Sequence, residues 1–203
     1  MLFQSNCLVL FRSEEAMARK KQYNEQEVID KAMALFWRNG YENTSVRMLE
    51  KEMGINQFSI YASFGSKHGV FLESINTYKK RIKCITDKLQ ASQNGKEGIK
   101  QYFYDFLKFA RENGVNKGCL VTNTVNEIKK ESDPVLMEEL SKFAEGIKQL
   151  FLNNLLQDKN KSTQVAKKQA NYLMNCILGL SVASKVYKQS ELDDIIEITF
   201  MNI

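Results

Sequence analysis

The sequence predicts an all-α chain of about nine helices, and three observations carry that prediction. Apolar residues recur at spacings of three and four over long stretches, the longest running through Phe71, Ile75, Tyr78, Ile82, Ile85 and Leu89. Strand signals, above all an apolar residue at every second position, are absent. The chain of 203 residues holds one proline and ten glycines. Glycines 40, 54, 65, 95, 98, 114 and 118 fall between the periodic segments, where turns are expected, while Gly146 and Gly179 lie within them.

Length and composition narrow the classes further. A chain of this size can bury a substantial core and suits one small module plus one larger domain. A net charge of +5 with a pI near 8.9 permits nucleic-acid binding, although the distribution of charge says more than the total. Cys7, Cys84, Cys119 and Cys176 are widely spaced without a CxxC pair, so neither a disulfide framework nor a zinc site is expected, and the thiols suit a reducing cytoplasm. No metal or cofactor is implied. No apolar run reaches the roughly 18 residues that span a bilayer, so no membrane partner is expected. The segment CLVLF at 7–11 is too short for a signal-peptide core, and no basic residue precedes it.

The first periodic segment, Glu25 to Asn39, places Val28, Ile29, Ala32, Leu35 and Phe36 on one helix face, with Trp37 beside them as a core aromatic. Arg19, Lys20 and Lys21 precede it as an arm able to track phosphates. Thr44 and Ser45 can cap a second helix, in which Val46 and Leu49 share a face and Gly54 supplies the left-handed end. Asn56 can cap a third over Gln57 to Ala62, with Ile60 inward and Gln57, Ser59 and Tyr61 outward. Two short helices about a glycine turn form a helix-turn-helix, whose second helix enters the major groove, so the segment predicts binding to double-stranded DNA. Ser66 can cap the next helix, and its free N–H groups with Lys67 alongside make a phosphate anchor. His68 is the sole histidine and has no evident nucleophile beside it; it reads as a surface residue near phosphate rather than a catalytic base.

Residues 25–72 resemble the N-terminal domain of the TetR family of transcriptional regulators, through Leu35-Phe36-Trp37-Arg38-Asn39-Gly40-Tyr41, Thr44-Ser45-Val46, Gly54-Ile55, Ile60-Tyr61, Phe64 and Gly65-Ser66-Lys67. Two places depart from the family pattern: Phe58 stands where a small or polar residue is common, and Ala62-Ser63 where an aromatic or histidine with a polar neighbour is usual. Met17-Ala18-Arg19-Lys20-Lys21 looks like a conventional start for the family, so residues 1–16 read as a disordered extension. The resemblance implies a DNA-binding domain over 17–65 and an effector-binding and dimerisation domain over 66–203, with 66–90 as the connecting helix. The DNA contacts it implies come from Arg19, Lys20, Lys21, Thr44, Ser45, Arg47, Gln57, Phe58, Ser59, Tyr61, Ala62 and Lys67.

Residues 91–98, ASQNGKEG, break the periodicity and read as a linker. The helix after it is aromatic, with Tyr102, Phe103 and Phe106 on its stripe; in the resembled family this region helps line an effector pocket. The segment from Lys117 to Thr124, KGCLVTNT, resembles the GCL(L/V)xN stretch of a TetR subgroup that includes regulators answering to reactive electrophiles. Cys119 there has two readings. It is either a small packed residue, or a sensor whose thiolate is favoured by a helix start and by Lys117, which also requires exposure. Thr122 and Asn123 add polar groups, and Lys185 has two readings, a solvent-exposed lysine or one that approaches Cys119 and stabilises its thiolate. Cys84 reads as packing. Ser132 can cap a helix with Asp133 and Pro134 in its first turn, and the last helix, from about Ser190, is apolar nearly all round. The resemblance implies that the final two helices form a homodimer interface, so that two helix-turn-helix units read a palindromic operator.

A repressor released by a small-molecule or reactive effector accounts for the basic arm, the helix-turn-helix, the long helix and the aromatic domain together. A DNA-bound adaptor working through protein contacts is the alternative. A thiol-dependent enzyme fares poorly, because no second cysteine, metal-ligand cluster or phosphate-cradling loop accompanies Cys119.

Overall fold

The computed structural model describes residues 23–111, 116–129, 132–201 and 203, and among them there are nine helices and no strand. They are α1 (Glu25–Asn39), α2 (Val46–Met53), α3 (Gln57–Phe64), α4 (Lys67–Ala91), α5 (Gly95–Ala110), α6 (Leu120–Glu127), α7 (Pro134–Leu155), α8 (Thr163–Ala183) and α9 (Gln189–Met201). The all-α expectation holds, with the helix-turn-helix unit at the N-terminal end and a larger helical domain after it. Residues 1–16 and the arm of Arg19, Lys20 and Lys21 lie outside the described residues.

Side-chain caps set several helix starts. Asn24 accepts from the amides of Gln26 and Glu27, Ser45 from Met48, Asn56 from Ser59 and Ser66 from Gly69. Each satisfies a donor that the first helical turn leaves unpaired. The start of α7 differs from the sequence reading: its cap is Asp133, whose carboxylate accepts from Leu136 N, rather than Ser132. An aspartate in that position adds favourable charge at the positive end of the helix dipole.

Helix α4 is the spine, packing against α1, α3, α5, α6 and α7. Its inner face buries Val70, Phe71, Ile75, Tyr78, Ile82 and Leu89, the stripe that the sequence spacing predicts. Phe71 meets Phe36 edge-on at 5.0 Å between ring centroids, and Tyr78 meets Trp37 edge-on at 5.1 Å, so α1 is clamped to α4 by aromatic pairs. Cys84 departs from expectation: it is exposed on the outer side of α4, with its thiol donating to the Arg81 carbonyl.

The segment 91–98 is not the linker its composition suggests. Helix α4 runs to Ala91 and α5 begins at Gly95, leaving three residues between them. The link is fastened from α7 and the turn after it: Asn154 donates to Leu89 O, and Gln157 donates to Ser92 O while accepting from Gly95 N. Gly98 lies within α5, and the position takes glycine because a Cβ there would lie 2.2 Å from Ser92 Oγ, a close approach that periodicity does not encode.

Helix α9 closes over α5, where Tyr104 Oη donates to Glu197 at 2.7 Å and Lys100 Nζ donates to the same carboxylate, also at 2.7 Å. These bonds from Lys100 and Tyr104 hold Glu197 below the usual carboxylate range. Burial, and then the bond to Glu197, push Tyr104 up to about 12. A carboxylate with a depressed pKa adds stability above its unfolded value, lost as pH falls through the folded one; a raised phenol adds stability below its unfolded value, lost as pH rises through the folded one. The stability advantage of the native chain over Tyr104→Phe should therefore be flat between roughly pH 5 and 9 and shrink on both sides. Thermal unfolding of the two proteins across pH tests this, and a difference constant from pH 3 to 12 would refute it.

Candidate nucleic-acid interface and its link to the helical domain

The turn between α2 and α3 is built by Gly54 in the left-handed conformation, φ +72°, with its amide bonded to Glu50 O. Glu50 then accepts from Gln57 N, tying the end of one helix to the start of the next. Leu49, Met53 and Ile60 are buried and fix the crossing of the two helices on α1 and α4. That leaves an outer face on α3 formed by Gln57, Phe58, Tyr61 and Ala62, all exposed, with Gln57 Nε2 donating to Tyr61 Oη at 3.1 Å. Ser59 lies at the edge of this face, half-buried, its carbonyl accepting from Tyr23.

Around that face, Ser45 and Arg47 are exposed at the start of α2, and Lys67 stands at the start of α4 with its ammonium 4.3 Å from the Tyr41 ring centroid. Thr44 is placed differently from its neighbours. It is fully buried and its hydroxyl donates to Gly40 O at 2.6 Å, so it shapes the turn after α1 and offers no side chain to a groove. His68 turns towards the helical domain: its Nε2 lies 3.3 Å from Asp133 Oδ2, joining α4 to the cap of α7.

Phe58 is the feature of this surface that most needs a partner, since it is a large apolar ring 81% exposed beside Gln57 and Tyr61. An apolar side chain on a groove-entering helix meets the thymine methyl group. Phe58→Ala should weaken operator binding by roughly tenfold or more, the scale of losing one buried phenylalanine, while leaving thermal stability and bulk-DNA binding unchanged. Fluorescence anisotropy with specific and random duplexes measures both, and equal operator affinity for the two proteins would remove Phe58 from the contact set.

The residues expected to sense an effector do not all converge. Cys119, Thr122 and Phe106 line one small apolar cavity of about 40 Å³, together with Ile82, Phe143 and Met174. Phe103 is elsewhere, in the core between Phe151 and Phe200, at centroid distances of 6.0 and 5.1 Å. Asn123 and Lys185 face away from Cys119 and pair with each other, Lys185 Nζ donating to Asn123 Oδ1. Cys119 is the cap residue of α6 rather than part of its first turn, and it is only 7% exposed. Its amide donates to Ser181 Oγ at 2.9 Å, and its sulfur accepts from Tyr78 Oη at 3.2 Å. Burial, and then the neighbouring Cys119, push the Tyr78 phenol well above its ordinary range, so it remains a donor.

Sequence reasoning missed the groups that join this region to the helix-turn-helix unit. Helix α6 starts at the cavity and ends at Glu127, whose two carboxylate oxygens accept from Tyr41 N at 2.8 Å and Glu42 N at 2.6 Å in the α1–α2 turn. Gly40 makes this approach feasible, since a Cβ there would lie 2.8 Å from the carboxylate. A second tie runs from Trp37 Nε1 to Gly118 O at 3.2 Å. Gly118, at φ +66°, packs so closely on the end of α8 that a Cβ would meet Ser181 O at 2.8 Å. Neither tie has a local signal, because the partners are more than 80 residues apart in sequence.

Comparison with known proteins agrees with this geometry. Residues 28–74 match the model of the bacterial regulatory proteins of the tetR family. An uncharacterized HTH-type transcriptional regulator of Bacillus subtilis (strain 168), YezE, is 27% identical over 177 residues, covering 84% of this chain and 90% of that protein. The HTH-type transcriptional repressor ComR of Escherichia coli (strain K12) is 25% identical over 124 residues, 60% of this chain and 59% of that one. Among solved structures, a cysteine-substituted TetR family regulator CifR in complex with 26-base-pair operator DNA superposes with a TM-score of 0.80, at 24% identity, over 90% of this chain and 98% of that chain. The fold, the exposed α3 face and the family match over residues 28–74 together describe a helix-turn-helix DNA-binding unit of the kind found in transcriptional regulators. Within that class, the family match over the DNA-binding region and the similarity to regulators along the chain support the TetR family. These are regulators and not enzymes, which sets aside the thiol-enzyme reading of Cys119. Among the described residues no helix is long and apolar enough to cross a membrane.

Proposed function

We propose that this protein is a repressor which binds a two-fold-symmetric operator as a homodimer in the cytoplasm and leaves it when an effector enters beside Cys119. One observation carries the reading: α6 runs from Cys119 at the cavity to Glu127 on the α1–α2 turn, so whatever displaces one end of this short helix pulls on the other. With residues 17–65 as the DNA-binding domain and 66–203 as the sensing domain, α6 is then a lever between them, working beside the long connecting helix α4. An effector that shifts the spacing of two recognition helices mismatches both half-sites, and by reciprocity it binds the DNA-bound form less tightly.

The cavity is far below the 300 Å³ or more of a typical ligand site, so an effector of ordinary size has to part α4, α5, α6, α7 and α8 to enter. That requirement supplies the mechanical stroke. For the dimer, α8 and α9 leave apolar groups uncovered: Tyr172, Val182, Ile198 and Met201 are exposed, and a groove of about 520 Å³ runs between the two helices. Gly179 opens on that groove with nothing within 4 Å of its Cβ position, leaving room for close approach of a second helix.

The test is operator binding by gel shift at fixed salt, with DNA from upstream of the protein's own gene, for the native protein and Cys119→Ser, each with and without a mild electrophile. Release of the native protein alone assigns the response to a covalent event at the thiol. Equal release of both assigns it to a non-covalent ligand in the same cavity. Absence of any shift with that DNA, treated or not, would overturn the repressor reading.

A further inference from the structure

A second, chemically opposite cleft lies on the other side of α6, where α1 and its following turn face α6 and the end of α8. It holds about 420 Å³, within the range of small-molecule sites, and most of its lining residues are charged or carry amides. Three cations, Arg38, Lys117 and Lys185, face it against one carboxylate, Glu127. Both oxygens of that carboxylate are already taken by the amides of Tyr41 and Glu42. The cations are under-neutralised. Lys185 donates only to the neutral Asn123, Lys117 rests 4.9 Å from the centroid of the Trp37 ring, and Arg38 is 3.6 Å from Glu52, which is not part of the cleft. Among the described residues neither lysine has a carboxylate partner. The remaining polar lining is amide, including Asn43, Asn116 and Asn126, which suits hydroxyl or carboxylate oxygens.

We infer that this interdomain cleft binds a small polyanion, a multiply charged carboxylate or phosphate compound, gripped by Lys185, Lys117 and Arg38 across the joint between the DNA-binding and sensing domains. The site is separate from the apolar cavity beside Cys119 and does not depend on how that cavity works. Because the ligand touches both domains, its occupancy is linked to their relative position and hence to operator affinity.

Trp37 is the sole tryptophan and lines the cleft beneath Lys117, so its fluorescence reports directly on the site. The experiment titrates the full chain with potassium citrate and, separately, potassium pyrophosphate at constant ionic strength, following Trp37 emission and calorimetric heat. Expected is saturable binding of one or both anions, one per chain; citrate alone would mark a carboxylate site and pyrophosphate alone a phosphate site. Lys185→Gln should weaken that binding about tenfold or more, the usual loss when a charged hydrogen-bond partner is removed. Lys159→Gln, on the exposed turn after α7, should not weaken it. No saturable signal from either anion, or equal weakening in both variants, would overturn the inference. Lys185 is exposed, so circular dichroism of the variant need only confirm the native helix content; should it fail, the native titration alone decides.

Discussion

Gly69→Ala is expected to lower the melting temperature by roughly 6–12 °C, from a strain of about 3 kcal/mol in a chain of this size. Gly69 sits in the first turn of α4, and a Cβ built on it falls 1.8 Å from the carbonyl oxygen of Phe64. That oxygen is backbone and cannot swing aside as a side chain would. Phe64 is the last residue of α3, so the relief has to come from moving the recognition helix away from α4. Operator affinity should fall with stability, and should remain low at temperatures where circular dichroism shows the variant fully folded. A melting temperature within 1 °C of native would show that the turn at residues 64–66 yields freely.

Glu127→Gln isolates the joint between the domains. The native carboxylate receives two amides of one turn, and charged acceptors contribute about 1.5–3 kcal/mol per bond. A glutamine keeps one accepting oxygen and turns an NH₂ group towards the other amide, so one bond is replaced by a donor facing a donor. Hydrogen exchange at Tyr41 and Glu42 should accelerate at least about tenfold, with little change in the core of α7 and α8. Any effector that works through α6 should lose part of its influence on operator binding in this variant, since one bond holds the far end of the helix where two did. Native exchange rates at both amides would show that the α1–α2 turn is stable by itself.

How far the sequence reveals this molecule follows from the range over which each feature is determined. Helix α1 is read from its sequence to the residue at both ends, and Ser45, Asn56 and Ser66 announce the starts of α2, α3 and α4, because a cap is set by residues two or three positions away. Thr44 shows the limit of that logic: as a residue type it too can cap a helix, and its bond to Gly40 O leaves the cap to Ser45. The glycines at 95 and 98 signal a break, yet their absent side chains serve contacts with α7 and with Ser92. The candidate site is legible on the α3 face, where exposure follows from periodicity. It is not legible at Glu127, because an acidic residue near the end of a short helix looks like any solvated one until the fold sets it against a turn 86 positions earlier.

The exposed ring of Phe58 has a consequence for how the protein finds its site. Contacts to phosphate weaken steeply as salt rises, and they act alike on every sequence, whereas burial of an aromatic ring against a thymine methyl group releases no counterions. Raising ionic strength should therefore weaken binding to bulk DNA and to the operator in parallel, with the Phe58 contact adding a salt-independent increment to the operator alone. Discrimination between the two would then persist under conditions that weaken both, and the operator would stay occupied at an ionic strength that has already released bulk DNA.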